Sequence, residues 1–437
     1  MHYRMLFRTP AKAKLGQVMF IREELYEEAH RWLTMGIQLP EKKAKIVEMS
    51  AYAPLTTSTI VGTMNIPVEN VVILKDQDSF FTTLAEVVEE ESYTKKDGSV
   101  SNRCRVERKE TAVKNTLWDG QALLETSLFP SWANGMMLIR NHMFKACCFR
   151  TRIQDFFRDW CAKTGNDYET YEIKDMFGNF HRLKDIAMIT TDNAIKWKKF
   201  KDQMGGTLEK AYQFWAKKIR EDGCTWGIVK TDHPSKLGQY QQMSYQMVNS
   251  LPVTEEEIGE LASTSVKYVE KLKKDPDAFE DFLRKNANDV NHYNMMADLY
   301  KHNHAFANSK WFRFEKKKII NQYVFKLRNG KIFVEGDNLT LCGNPYALLL
   351  YAVGENWEDD PTLKPEPGTI QCYTTRFADG EYLLGIRNPH NSPNNAIYLH
   401  VKRHPLMERY FDFSPNVCAV NCISTDIQSR ANGCDLK

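Results

Sequence analysis

The stretch LWDGQALLETSLFPSWANGMMLIRNHMFKACCF, residues 117–149, sets the first expectation about the fold. Its runs GMMLIR and FKACCF are short and apolar, which is typical of strands. Arg140 and Lys145 stand five residues apart across this predicted strand pair. Taken singly, each is more typical of a solvated surface, but cations on neighbouring strands can neutralise phosphate charge. The stretch therefore predicts a β core and marks both residues as candidate phosphate ligands.

Short strands and helices alternate on both sides of this stretch. YEIKDM and IAMITT predict strands after it, and RIQDFFRDWCAKTG predicts a helix between them. Before it, residues 17–36 have helical spacing, and residues 85–110 predict a hairpin that turns at Lys96-Asp97-Gly98. Residues 253–308 are nearly all helical in pattern, and strand patterns return from residue 320 to the end. The chain is therefore predicted to be α+β, with a helical segment between two β-rich parts.

Composition excludes few functional classes. The 437 residues are too many for one small core and predict two or three units. The net charge of +3 does not indicate a nucleic-acid binder, so a basic surface would have to come from local runs such as residues 196–201 and 314–320. None of the ten cysteines forms a Cys-x-x-Cys pair. With no apolar leader or membrane-length segment in the sequence, we expect a cytoplasmic protein without a membrane partner.

Two polar segments near the end are candidate ligand sites. ANGCDLK, residues 431–437, places Asp435 in a Gly-containing turn after a predicted strand, where a carboxylate can reach Mg²⁺. A lone Asp is more often a turn residue. In EYLLGIRNPHNSPNN, residues 381–395, the Arg387 fork could hold a phosphate or a sugar hydroxyl group.

A third candidate follows the strand IAMITT. TTDNAIKWKKF, residues 190–200, supplies Lys196 and Lys199, and the local spacing allows either residue to act as a second phosphate-binding lysine.

Taken in order, these elements resemble the two-barrel RNA polymerases. The resemblance is to the single-chain branch, which includes eukaryotic RNA-dependent RNA polymerases of gene silencing and phage-encoded single-subunit RNA polymerases. WDG (residues 118–120) is similar to the family's DG strand opening, and Arg140 with Lys145 matches its R-x-x-x-x-K element. NAIKW (residues 193–197) is similar to its S-M-x-K-F element, and MSYQMVNSL (residues 243–251) resembles the helix after its first barrel.

The later elements resemble the family less closely. GIRNPHNSPNN (residues 385–395) is similar to the family's R-N-P-C-L-H-P-G-D turn, but the Cys-Leu-His core of that turn is replaced. CAVNCISTDIQSRANGCDLK (residues 418–437) resembles the approach to the family's G-x-D-L-D-G-D metal loop. The match covers residues 117–437 in the family's order.

The resemblance implies a fold of two double-psi β-barrels joined by a helical connector, with the second barrel incomplete at the C-terminus. It divides the chain into an N-terminal α+β region at residues 1–115, a lysine barrel at 116–250, the connector at 251–318 and a metal-loop barrel at 319–437. It also implies the roles of the candidate residues. These are Lys145 and Lys196 as catalytic lysines, Arg140, Arg387 and Lys199 as substrate-binding residues, and Asp435 as a ligand of Mg²⁺.

The metal loop departs from the family pattern, because Lys437 stands where the family has its second acid. At an effective dielectric constant of about 20, unit charges about 4 Å apart interact by about 4 kcal/mol, and a divalent ion doubles this to about 8 kcal/mol. Lys437 would repel Mg²⁺ by that amount. We therefore expect the chain to stop inside its metal loop, to need a second polypeptide or a further segment, and to be inactive by itself.

The resemblance thus predicts part of a Mg²⁺-dependent polymerase that adds nucleoside triphosphates to an RNA 3′-hydroxyl group on a single-stranded DNA or RNA template. The alternative is a non-catalytic relative that binds single-stranded nucleic acid through residues 196–201 and 316–318. An unrelated mobile-element protein with β-barrels is a third alternative.

Overall fold

The chain is a mixed α+β protein with many strands and helices. The computed structural model describes residues 1–7, 18–40, 43–57, 59–235 and 237–434. These residues form two compact units. The first comprises the described residues of Met1–His233, Leu339–Leu383 and Tyr398–Lys437, and the second comprises those of Pro234–Asn338 and Leu384–Ile397.

The strands are mostly short. In chain order they are β1 (Tyr3–Phe7), β2 (Met19–Arg22), β3 (Gly62–Asn65), β4 (Val71–Leu74), β5 (Asp78–Thr94), β6 (Val100–Thr116), β7 (Gln121–Glu125), β8 (Met136–Asn141), β9 (Phe144–Thr151), β10 (Glu172–Lys174), β11 (Phe180–Arg182), β12 (Met188–Thr191), β13 (Thr225–Thr231), β14 (Tyr240–Gln242), β15 (Phe333–Glu335), β16 (Thr340–Gly343), β17 (Pro365–Glu366), β18 (Thr369–Tyr373), β19 (Tyr382–Gly385), β20 (Ile397–Val401) and β21 (Val417–Val420).

The helices include several with well-defined caps, such as the helix Glu255–Lys274, where the N-cap residue Thr254 and Glu257 form a reciprocal capping box. In chain order they are α1 (Glu23–Leu33), α2 (Lys43–Tyr52), α3 (Ile153–Thr164), α4 (Leu208–Glu221), α5 (Tyr245–Ser250), α6 (Glu255–Lys274), α7 (Pro276–Lys285), α8 (Tyr293–His302), α9 (Lys310–Arg328), α10 (Pro345–Ala352), α11 (Pro405–Tyr410) and α12 (Ile427–Arg430). Short 3₁₀ helices lie at Ala53–Thr57, Val68–Asn70, Thr126–Leu128, Leu183–Asp185, Trp197–Met204, His304–Asn308, Trp357–Asp359 and Pro393–Asn395.

A seven-stranded sheet in the first unit has the order β3-β13-β8-β9-β7-β12-β4 and curls into a half-barrel. Strands β7 and β9 pair in parallel, as do β12 and β4, while the other neighbours are antiparallel. One face of the sheet is covered by a large core that includes Phe144, Ile195, Trp215 and Trp226. Burial of these side chains stabilises the sheet, since a buried large apolar side chain contributes about 1.5–3 kcal/mol.

A second sheet in the same unit has the order β16-β21-β18-β20-β19, and β17 pairs with β18. Strands β16 and β21 are parallel. A side-chain amide joins the two sheets, because the fully buried Gln121 of β7 donates to the Gly343 carbonyl group (3.0 Å) and accepts from the Gly343 N–H (2.8 Å). Removing this amide would leave a buried donor and a buried acceptor unsatisfied.

Strands β5 and β6 form a long two-stranded hairpin, as predicted. Its register runs from Asp78 opposite Thr116 to Thr94 opposite Val100. In its turn, the Asp97 carboxylate accepts from the Ser99 N–H, and Gly98 has a positive φ of 82°. That backbone conformation explains why the Lys96-Asp97-Gly98 sequence indicates a turn.

The second unit is largely helical and has its own core, in which Phe279, Phe312 and Tyr323 pack together with other residues of α6–α9. The helices predicted for residues 253–308 are present. Within the described parts of the chain, none of the helices has the length and apolar character that a membrane span requires.

Two predictions of secondary structure are wrong in part. The strand predicted from residue 320 is instead the last part of α9, which continues to Arg328, because Ile320, Tyr323 and Leu327 recur at helical spacing on its packed face. The helix predicted for residues 17–36 is shorter, since Met19–Arg22 pairs with β1 as a strand and α1 begins at Glu23. Gln17 lies outside the described residues.

Candidate functional site

Arg140 and Lys145 are direct cross-strand partners. Strands β8 and β9 pair antiparallel, and their register sets Arg140 opposite Lys145, which confirms the predicted strand pair. Residues directly opposite each other project from the same face of a sheet, with Cβ atoms typically about 5 Å apart. The guanidinium and ammonium groups are therefore on one face, and both residues are half-buried.

Backbone pairing brings Lys196 next to the strand that carries Lys145. Phe144 and Ile195 form an isolated antiparallel bridge. On either side of it, the Lys145 N–H donates to the Ala194 carbonyl group (3.0 Å) and the Lys196 N–H donates to the Met143 carbonyl group (2.7 Å). These hydrogen bonds place the backbone of Lys196 beside the start of β9, next to Lys145. We call Arg140, Lys145 and Lys196 the cationic cluster.

Arg140 and Lys145 lie on the sheet face that meets the second sheet. Side chains alternate along β9, so Lys145, Cys147 and Phe149 share a face. The ring of Phe149 lies 5.9 Å from that of Phe413. Phe413 lies between α11 and β21, a strand of the second sheet. Cys147 pairs in register with Gln121, the residue that bonds Gly343 of the second sheet. The face of β9 that carries Lys145 is therefore covered by a second layer of protein.

Burial makes the cationic cluster receptive to anions. Burial lowers the pKa of the Arg140 guanidinium group from its ordinary value, which means that its charged form is less well solvated than in water. A bound phosphate would restore the lost stabilisation through charge-assisted hydrogen bonds. In the structure the Arg140 guanidinium donates to the Ile139 carbonyl group (2.8 Å), and the Lys196 ammonium donates to the Asn193 carbonyl group.

Lys199, the other candidate for the second lysine, lies in the 3₁₀ helix Trp197–Met204. Its ammonium group is 3.4 Å from the Glu48 carboxylate and 5.3 Å from the centre of the Tyr52 ring, both on α2. Lys199 is thus paired with α2, while Lys196 is paired through its backbone with the strand that carries Lys145. This arrangement favours Lys196 as the partner of Lys145.

Asp76 is a buried carboxylate that the sequence patterns did not single out. Its Oδ1 accepts from the Gln77 N–H (2.9 Å) and the Trp118 N–H (3.2 Å). Its Oδ2 accepts from the Thr191 hydroxyl group (2.9 Å) and the Asn193 amide (2.8 Å). Burial raises its pKa to about 6, although these hydrogen bonds oppose the rise. A single Asp after a strand matches no sequence motif. The four hydrogen-bond donors to Asp76 could therefore be identified only from the tertiary structure.

Asp192, the neighbour of Asn193, has the opposite electrostatic behaviour. Burial would raise the pKa of its carboxyl group, but hydrogen bonds from Lys198 (2.6 Å), the Asp76 N–H (2.9 Å) and Lys75 (3.0 Å) hold that pKa below its ordinary value. Lys198 is therefore committed to a structural ion pair.

The segment that leads to Asp435 is fixed against the base of the β5–β6 hairpin. The buried Asn115 amide donates to the carbonyl groups of Cys422 (3.0 Å) and Thr425 (2.6 Å). Gln428 exchanges two hydrogen bonds of 2.7 Å with the backbone of Thr116. Asp435 itself lies outside the described residues, so its predicted role as a metal ligand stays a prediction.

The Trp118–Gly120 turn joins the same region. The buried Trp118 indole donates to the Asn344 carbonyl group (3.2 Å), and the Gly120 carbonyl group accepts from the Cys147 N–H (2.8 Å). Gly120 has a φ of 75°, a conformation that glycine adopts without strain.

Arg387 belongs to the second unit, whereas the cationic cluster belongs to the first. It is half-buried in a turn that is built from its own side chains. The Asn395 side-chain oxygen accepts from the N–H groups of Asn391 and Ser392 (both 3.1 Å), and Ser250 bonds the imidazole of His390. The amide side chain of Asn395 therefore helps to hold the turn that carries Arg387.

Among the residues that the structure describes, no group of three or more His, Cys, Asp or Glu side chains could hold a metal ion. Asp435, the predicted ligand of Mg²⁺, is outside these residues. Compared with known proteins, the sequence matches no family model and no curated protein.

Proposed function

We propose that the cationic cluster binds the phosphates of a nucleoside triphosphate in template-directed RNA synthesis, as the resemblance to two-barrel RNA polymerases implies. The observation that carries the proposal is the strand and backbone pairing that brings Arg140, Lys145 and Lys196 together, although Lys145 and Lys196 are far apart in sequence. RNA synthesis is proposed as the reaction because the motifs follow the order found in two-barrel RNA polymerases.

Phosphate recognition follows from the chemistry of the three groups. Arg140 presents a planar fork that can bond two phosphate oxygens, and each lysine presents a compact charge. A hydrogen bond to a charged group contributes about 1.5–3 kcal/mol, so each side chain is worth on the order of tenfold or more in affinity. The lysines would stabilise charge that develops on the phosphates during transfer.

Three further parts of the proposal rest on motifs alone. Asp435 would hold Mg²⁺. Arg387 is kept as a nucleotide-binding residue because of its Arg-Asn-Pro turn. Single-stranded DNA or RNA is the template, and a second polypeptide that completes the metal loop is a proposed partner.

The non-catalytic alternative relies on the lysine runs at residues 196–201 and 316–318. Ion pairs occupy much of these runs, since Lys198 bonds Asp192, Lys199 lies near Glu48 and Lys318 is 3.6 Å from Glu315. Lysines that already have acidic partners gain less from phosphates. These pairs weigh against a broad nucleic-acid surface on the two runs.

The test is binding of mant-ATP, a fluorescent ATP analogue, to the full chain. We expect Lys145→Ala and Lys196→Ala each to weaken binding by about tenfold, because each removes a charge-assisted contact to phosphate. Lys199→Ala and the exposed Lys163→Ala serve as matched controls and should stay within about twofold of wild type. Wild-type affinity in Lys145→Ala would overturn the proposal.

The reaction is tested separately on the chain joined to an acidic metal loop, because the chain by itself is expected to be inactive, with all four nucleoside triphosphates, Mg²⁺ and single-stranded DNA or RNA. RNA synthesis that is lost in Lys145→Ala supports a polymerase. Binding of single-stranded nucleic acid without nucleotide binding would favour the non-catalytic alternative.

A further inference from the structure

The Asp76 carboxylate connects three segments of the first unit. Its Oδ1 accepts from the backbone after β4 and from the Trp118 turn. Its Oδ2 accepts from Thr191 at the end of β12 and from Asn193 in the turn that follows. Four donors around one carboxylate fix the position of each segment relative to the others.

Asn193 links this carboxylate to Lys196. The side-chain amide of Asn193 donates to Asp76 Oδ2 (2.8 Å), and the backbone carbonyl oxygen of Asn193 accepts from Lys196 Nζ. Thr191 strengthens the connection, because its hydroxyl group lies within hydrogen-bond distance of both Asp76 Oδ2 and the Trp118 carbonyl oxygen (3.2 Å). The turn that carries Lys196 is therefore attached to Asp76 at two side chains.

We propose that Asp76 is a positioning residue that keeps Lys196 beside Lys145 while its carboxyl group is ionised, and that protonation of this group weakens phosphate binding by the cationic cluster. The proposal rests on the function proposed above and adds its regulation by pH.

Protonation weakens the arrangement because the carboxyl group loses its negative charge. The N–H groups of Gln77 and Trp118 can only donate, so Oδ1 must remain an acceptor. The proton is then placed on Oδ2, from which it can be donated to the Thr191 hydroxyl group while that hydroxyl group donates to the Trp118 carbonyl oxygen. The Asn193 amide is left with a neutral oxygen as its acceptor, and hydrogen bonds to a neutral acceptor are about half as strong as those to a carboxylate.

Other ionisable groups surround Asp76 and are included in its titration. These are Lys75 and Asp78 on its own segment, Asp192 with its partner Lys198 on the turn after β12, and Tyr351 on α10, which accepts from Gln77. The burial that raises the pKa of Asp76 to about 6 places its titration just below neutral pH. A modest acidification is therefore enough to change its charge.

The test compares mant-ATP binding by the wild-type chain and Asp76→Asn between about pH 5 and pH 7.5. A terminal phosphate group also titrates near pH 6, so the decisive quantity is the ratio of the two dissociation constants, in which that contribution cancels. At the higher pH we expect wild type to bind mant-ATP about tenfold more tightly than Asp76→Asn. At the lower pH, where Asp76 is about nine-tenths protonated, we expect the ratio of the two dissociation constants to approach one. A ratio that does not change with pH would overturn the proposal.

Two further variants complete the experiment. Asp202→Asn, at an exposed position of the 3₁₀ helix Trp197–Met204, is the matched control and should follow wild type at every pH. If Asp76→Asn does not fold, Asn193→Ala removes the same connection from the other side and should show the same loss of pH dependence relative to wild type.

If Lys145→Ala and Lys196→Ala bind as wild type, the proposed function fails. If they bind weakly but Asp76→Asn and Asn193→Ala keep the wild-type pH profile, only the role of Asp76 fails.

Discussion

The turn that carries Lys196 and the turn that carries Arg387 are held in different ways. Backbone hydrogen bonds to β9 fix the first, and the Asp76 carboxylate supports it from the other side. The second is held by side chains, namely by the Asn395 oxygen within the turn and by Ser250 of α5, which bonds His390. A functional side chain on a backbone-paired turn can change without loss of the turn, whereas a turn built from side chains depends on their identity.

The largest expected effect in this comparison is at Asn395. Asn395→Ala leaves the N–H groups of Asn391 and Ser392 without their acceptor, and each such loss costs about 1–3 kcal/mol. We expect the free energy of unfolding, measured in urea, to fall by about 3 kcal/mol.

Asn395→Asp keeps an acceptor oxygen, and its free energy of unfolding should fall much less. Lys196→Ala, on the backbone-paired turn, should change stability by less than about 0.5 kcal/mol. Equal losses in Asn395→Ala and Lys196→Ala would remove the distinction between the two turns.

The next effect is the pH dependence that Asp76 gives to stability. Burial raises its pKa from 3.8 to about 6, so the folded chain binds this proton more tightly than the unfolded chain. Its stabilising contribution is fully present below about pH 4 and is lost as the pH rises through about 6. A shift of about two pKa units corresponds to about 3 kcal/mol.

Urea unfolding of wild type and Asp76→Asn at several pH values measures this contribution. The free energy of unfolding of the variant, minus that of wild type, should rise by about 3 kcal/mol between about pH 4 and pH 7.5. A constant difference would mean that Asp76 titrates at an ordinary pKa. The ionised carboxylate is thus expected to hold the Lys196 turn at a cost to overall stability.

The sequence predicted those features that depend on local pattern. Apolar runs around a short turn predicted β8 and β9, and hence the pairing of Arg140 with Lys145. The β5–β6 hairpin followed from its Asp-Gly turn, and the helices after residue 253 followed from their spacing. The end of α9 was mistaken for a strand because a short apolar run fits both periods.

Long-range features were not accessible in this way. No local pattern brings Lys196 next to Lys145, and only the resemblance offered that pair. Asp76 was missed because its importance comes from donors on the Trp118 turn and the Asn193 turn, which are distant in sequence. Asp435, on which the metal prediction depends, lies outside the described residues.

A double-mutant cycle on Lys145 and Lys196 tests the central claim most directly. Dissociation constants of mant-ATP are measured for wild type, Lys145→Ala, Lys196→Ala and the double variant. If both lysines hold the phosphates of one ligand, each single variant loses about tenfold, and the double variant deviates from the product of these losses by about 0.5 kcal/mol or more. Wild-type affinity in either single variant would contradict a shared phosphate site.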